Sequence, residues 1–124
     1  MTNRIMVVDD DADFRRTLEV ILMDEGWDVI SAGDGFQAVQ MAGKSDISLI
    51  FMDIRMPDMD GVETLSKIKE ILPDCIVVMM TGHALEFLIE KALSEGAMTC
   101  LNKPILIEQL LKIVDEVMPQ SITS

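Results

Sequence analysis

Three consecutive carboxylates, Asp9, Asp10 and Asp11, end the short apolar run RIMVV (residues 4–8). Two ionised carboxylates about 4 Å apart repel by roughly 4 kcal/mol at an effective dielectric near 20. Solvent and helix capping can absorb that cost, or a cation can. Further along, Asp53 follows the apolar run SLIFM (48–52), Thr81, Gly82 and His83 follow CIVVMM (75–80), and Lys103-Pro104 follows MTCLN (98–102). Clustered Asp oxygens are hard ligands suited to Mg²⁺, which keeps several waters and takes one or two protein carboxylates. Such an ion would offset the repulsion among Asp9, Asp10 and Asp53. Lys103 supplies a compact positive charge and Thr81 a hydroxyl, so the two could hold two oxygens of a phosphoryl group. A carboxylate such as Asp53 can then act as nucleophile and form an acyl phosphate. The chain has no Walker-type glycine loop and is not expected to bind ATP for itself.

The elements that must position these groups are legible as alternation. Apolar runs at 4–8, 28–32 (DVISA), 48–52, 75–80 and 98–102 are the predicted strands. Amphipathic stretches at 12–25, 35–43, 62–71, 84–95 and 105–118 are the predicted helices. Leu85, Leu88, Ile89, Ala92 and Leu93 form the inward stripe of the fourth, and Ile107, Leu110, Leu111, Val114, Val117 and Met118 that of the fifth. Gly26, Gly43 and Gly96 fall where helices should stop, and Pro73 and Pro119 follow helices as breakers. The order βαβαβαβαβα demands a parallel sheet with helices on both faces and right-handed crossovers. Ligands of such sheets bind beyond the carboxyl ends of the strands, where four of the five runs place a carboxylate, hydroxyl or ammonium. The second run ends instead in Gly33, Asp34 and Gly35, which reads as turn chemistry.

At 124 residues the chain is expected to form one α/β domain over 1–118, with PQSITS (119–124) as a tail or the start of a cut linker. A net charge of −12 argues against direct binding to nucleic acid and to anionic membranes. No apolar run reaches the length of a membrane span and the N-terminus lacks a signal-peptide pattern, so the chain reads as cytoplasmic. Cys75 and Cys100 match no metal or redox spacing and are expected to be reduced, buried thiols.

The runs VVDDD, LIFMDIRMPDMDG (49–61), VVMMTGHA (77–84) and CLNKP (100–104) closely resemble the receiver domain of bacterial two-component response regulators. The resemblance covers essentially the whole chain. It implies a doubly wound sheet of order 2-1-3-4-5. It implies that Asp53 accepts a phosphoryl group from the phosphohistidine of a histidine kinase or phosphotransfer domain. Asp9 and Asp10 match the acidic pair that organises Mg²⁺ (or Mn²⁺), and the main-chain carbonyl of Arg55 matches a further metal ligand. Thr81 and Lys103 match the phosphate-contacting hydroxyl and lysine, and Lys103-Pro104 a peptide bond usually cis in the family. Arg55 and His83 occupy positions that tune phosphoryl lifetime. Cys100 stands where the family usually has Tyr or Phe as a switch residue, so the form of the switch departs from the usual aromatic readout.

Several of these residues also have plainer readings. Asp11 and Asp13 suit the capping and dipole of the first helix, and Asp58 and Asp60 suit a turn before Gly61. His83 reads as a partly exposed loop residue and Cys100 as a packing substitution. Phe87, Leu106 and Ile113 fall off the inward stripes and suggest a partner face on the last two helices, where some receivers form homodimers. Phe14, Leu18, Val20 and Met23 cannot all point inward, and the family docks its kinase on that first helix. The favoured function is a phosphorylatable signalling domain with an unidentified downstream output, and the alternative is a phosphorylation-independent binding module. An Mg²⁺-dependent aspartyl-phosphate phosphatase would need a second Asp where Arg55 stands. A flavin carrier would need a hydroxyl- and glycine-rich loop in place of DDD.

Overall fold

Five strands and five helices alternate: β1 (Arg4–Val8), α1 (Ala12–Asp24), β2 (Asp28–Ala32), α2 (Gly35–Lys44), β3 (Leu49–Asp53), α3 (Gly61–Ile71), β4 (Ile76–Thr81), α4 (Glu86–Ser94), β5 (Thr99–Asn102) and α5 (Ile107–Val117). The structure, a computed structural model, describes residues 2–56, 59–83 and 85–118. The strands form one parallel sheet in the order β2-β1-β3-β4-β5, with Val8 opposite both Ala32 and Met52, and Asp53 opposite Met80. The expected tail at 119–124 and Pro119 lie outside the described residues.

Successive side chains of a strand point to opposite faces. Ile5, Val7, Leu49, Phe51, Val78 and Met80 accordingly pack with Leu18 and Leu22 of α1 and Leu110, Ile113 and Val114 of α5. Their neighbours Met6, Val8, Ile50, Met52, Val77 and Met79 pack with residues of α2, α3 and α4 on the other side. Each fully buried aliphatic side chain contributes roughly 1.5–3 kcal/mol, which fixes the strands whose ends carry the polar groups. Helices α1, α2 and α3 begin with side-chain caps close to that rim. Asp11 accepts the N–H groups of Asp13 and Phe14 at 3.0 and 3.2 Å, Asp34 that of Gln37 and Asp60 that of Glu63. Asp60 is therefore a helix cap rather than a simple turn residue, and Asp58 lies outside the described residues.

The structure corrects several details. β3 and β4 run one residue further than expected, making Asp53 and Thr81 their last members. Gly26 and Gly96 end helices with positive φ of 95° and 111°, and the next residue's N–H returns to the helix, Trp27 to Leu22 O and Ala97 to Ala92 O. Gly43 does not stop α2 but lies inside it, and the helix ends where Ser45 turns extended. On α5 the phase is shifted: Ile113 is buried, whereas Ile107, at the helix start, is 54% exposed. Leu85 and Leu93 also lie largely outside the core, as Phe87 and Leu106 were expected to. Cys100 is only half-buried, and both cysteines are free. Burial pushes the Cys75 thiol up to about 12, with the Lys69 charge opposing it. Among the described residues no helix is long and apolar enough to cross a membrane.

Two glycines give opposite predictions. A Cβ at Gly43 would meet nothing within 4 Å, so Gly43→Ala should raise stability by about 0.5–1 kcal/mol through helix propensity. A Cβ at Gly61 would stand 2.7 Å from Ile54 Cα, against backbone next to Asp53, so Gly61→Ala should cost about 1–3 kcal/mol. Urea unfolding midpoints of the two variants check both signs.

Candidate functional site

Asp9 is the first residue past β1, and its N–H still pairs with Ala32 O, which draws the carboxylate into the sheet end with no exposed surface. One of its oxygens, Oδ1, accepts the Asp11 N–H at 2.9 Å, and the other accepts Lys103 Nζ at 2.7 Å. Asp53, at the end of β3, is 8% exposed. Its Oδ1 accepts the Arg55 N–H at 3.2 Å and its Oδ2 accepts Lys103 Nζ at 3.3 Å. Lys103 thus bridges the two buried carboxylates from beyond β5, where its own N–H donates to Thr81 O at 2.8 Å. The Lys103-Pro104 peptide is cis. Asp10 is exposed, and carboxylate oxygens of Asp9, Asp10 and Asp53 lie within 4.8 Å of one another.

Three clustered carboxylates therefore share one directly bonded ammonium. Burial raises the Asp53 carboxyl above its usual 3.8; the Arg55 N–H pulls against this, the Asp9 charge adds to it, and Lys103 opposes it. Burial alone would lower the Lys103 ammonium, but its hydrogen bond to Asp9 and the charges of Asp53 and Asp9 outweigh that and hold it above the ordinary lysine value. The remaining excess of negative charge, carried on hard oxygen donors with spare lone pairs, fits a small divalent cation.

The other expected site residues reach the same rim differently. The buried Thr81 hydroxyl is turned onto its own loop, donating to His83 O at 2.5 Å and accepting the His83 N–H at 3.0 Å. His83 and Arg55 are exposed at the rim. Cys100 lies opposite Met79 of β4, and its thiol is raised by burial and then by the Asp53 charge. Two residues of α1 escaped sequence reasoning. Arg15 donates from Nη1 to the Asp9 carbonyl at 2.7 Å, and Lys103 Nζ stands 4.4 Å from the centroid of the Phe14 ring. No spacing in the sequence pairs either of them with its partner.

Because folding favours the protonated form of Asp53, its contribution is fully present below 3.8 and is lost as pH rises through the higher folded value. Without divalent cations, Asp53→Asn should therefore be more stable than the wild type at pH 7, and the gap should close as pH falls toward 4. Urea unfolding across that range checks the sign.

The fold and site can be set beside known proteins. A family model described as the response regulator receiver domain matches residues 5–115. The chain is 35% identical over 115 residues to the transcriptional regulatory protein PdtaR of Mycobacterium tuberculosis, covering 90% of this chain and 55% of that protein. It thus spans about half the length of the first curated relatives it matches. The chemotaxis protein CheY of Bacillus subtilis is 32% identical over 117 residues, covering 94% of this chain and 98% of that one. Among solved structures, a CheY-like receiver domain protein from Methanospirillum hungatei JF-1 superposes with a TM-score of 0.90 at 30% identity, over 94% and 93% of the two chains. With the sheet order and the acidic rim in agreement, the chain belongs to the response regulator receiver domain family, whose members generally act as phosphoacceptor signalling domains of two-component systems.

Proposed function

We propose that Asp53 is the phosphoacceptor, receiving a phosphoryl group from the phosphohistidine of a sensor histidine kinase or histidine phosphotransfer domain. In that transfer the phosphorus–nitrogen bond breaks as a bond from an Asp53 oxygen forms, and the imidazole leaves with the electron pair and takes a proton. The observation that carries the reading is Asp53 itself: a nearly buried carboxylate facing Asp9, with Lys103 bridging the two. Asp9, Asp10, Asp53 and the main-chain carbonyl of Arg55 would hold Mg²⁺ or Mn²⁺. When bound, the ion supplies positive charge against the phosphoryl oxygens.

The chain's own residues do the rest. Lys103 neutralises a phosphoryl oxygen with the ammonium that now bridges Asp9 and Asp53. Thr81 donates its hydroxyl to another oxygen once it releases His83 O. That release makes Thr81 the moving part of the switch, with Cys100, two register steps back on the neighbouring strand, in place of an aromatic ring. Arg55 and His83, exposed at the rim, set water access and hence the rate of autodephosphorylation. The receiver unit covers residues 1–118 and works in the cytoplasm. It passes the signal to an output domain or protein through a conformational change and is compatible with a homodimer. The acidic net charge leaves nucleic acid and membranes outside its direct contacts.

Intact mass after incubation with Mg²⁺ and a small-molecule phosphodonor tests the acceptor. We expect one phosphoryl increment that requires Mg²⁺ and disappears in Asp53→Asn. An increment surviving in Asp53→Asn moves the acceptor elsewhere. No increment, together with no beryllofluoride binding, favours the phosphorylation-independent module.

A further inference from the structure

We infer that Phe14 is a positioning residue for Lys103: its ring holds the ammonium in line with Asp53. The inference deepens the proposed phosphoacceptor role and rests on it. Lys103 Nζ has three N–H groups, and the structure gives two carboxylate partners, Asp9 Oδ2 at 2.7 Å and Asp53 Oδ2 at 3.3 Å. The Phe14 ring is a third neighbour, with its centroid 4.4 Å from Nζ, inside the range where a ring face attracts an ammonium electrostatically.

The need for a third point of support follows from the lysine's setting. Lys103 stands just past the end of β5, and its side chain retains 22% of its exposure. Its contact with Asp9 is the shorter of the two, so a flexible stem would carry the charge toward Asp9 or into water, away from the acceptor. Phe14 is itself fixed. It is half-buried against the core between the sheet and the helices α1 and α5, and its N–H is capped by Asp11 at 3.2 Å. The acidic run that supplies Asp9 and Asp10 thus also starts the helix that aims the ring. A leucine at position 14 would keep an apolar, half-buried side chain but would lack the negative ring face that the ammonium meets.

The test uses the full chain as wild type, Phe14→Leu and Phe14→Tyr. Two quantities are measured: the rate of phosphorylation by a small-molecule phosphodonor at saturating Mg²⁺, and the NMR shift of the Lys103 ε-methylene protons. We expect a ring-current shift of those protons in the wild type and in Phe14→Tyr that is lost in Phe14→Leu. The Phe14→Leu rate should fall about two- to tenfold, while Phe14→Tyr stays within about twofold of wild type. An unchanged rate in Phe14→Leu, or an equal fall in both variants, overturns the inference. Unshifted ε-methylene protons in the wild type do so without any variant. If the wild type shows the ring-current shift but neither accepts a phosphoryl group nor binds beryllofluoride, the phosphoacceptor reading fails, and the positioning role falls with it.

Discussion

Like charge held at close range on the rim of the sheet is the constraint on which the rest of this structure depends. Asp9 and Asp53 are brought together because β1 and β3 are neighbours, and both strands are buried along nearly their whole length. Their carboxylates cannot separate without unzipping that pair. Lys103 relieves part of the repulsion by bridging them, and solvent reaches Asp10. The backbone N–H groups of Asp11 and Arg55 turn back onto the two buried carboxylates. Hydrogen bonds of this kind favour the ionised form, yet burial still leaves the Asp53 carboxyl raised. The fold therefore keeps a destabilising charge cluster in place, a pattern expected where chemistry rather than stability selects the residues.

From that cluster the contacts lead outward to the elements a signal could move. Lys103 joins β5 to β4 through its backbone N–H, and joins both to α1 through the Phe14 ring. Thr81 is occupied by its own loop, so any new acceptor appearing beside Asp53 competes with His83 O for the same hydroxyl. Cys100 sits two register steps before Thr81 on the adjoining strand, within the reach of the Asp53 charge. A thiol sweeps less volume than an aromatic ring, so in the proposed switch the Thr81 loop is the part that moves.

The alternation of elements and the identity of the rim residues were legible because a parallel sheet leaves little choice. Each apolar run must end at the same edge, and Asp9, Asp53, Thr81 and Lys103 are what follow or close those runs. The strand order came from family resemblance rather than from periodicity. The phase of α5 was not legible, since Leu106, Ile107, Leu110, Leu111, Ile113, Val114 and Val117 supply two overlapping apolar stripes. Packing against the sheet chose the one containing Ile113 and left Ile107 outside. Gly43 misled because a glycine stops a helix through positive φ, a backbone state that composition does not report. Phe14 and Arg15 act across space on Lys103 and on the Asp9 carbonyl, and no local pattern encodes those partners. The Thr81–His83 turn, by contrast, is a local pairing two residues apart of a kind the sequence can suggest.

The rim carries negative charge which the chain alone does not balance. Unfolding free energy of the wild-type protein, measured in urea at pH 7 over a series of Mg²⁺ concentrations, tests it most directly. A folded site completed by the cation should gain stability with each increase. Once the site is saturated, the gain should approach about 1.4 kcal/mol per tenfold rise in Mg²⁺. A stability independent of Mg²⁺ across that series would contradict the account.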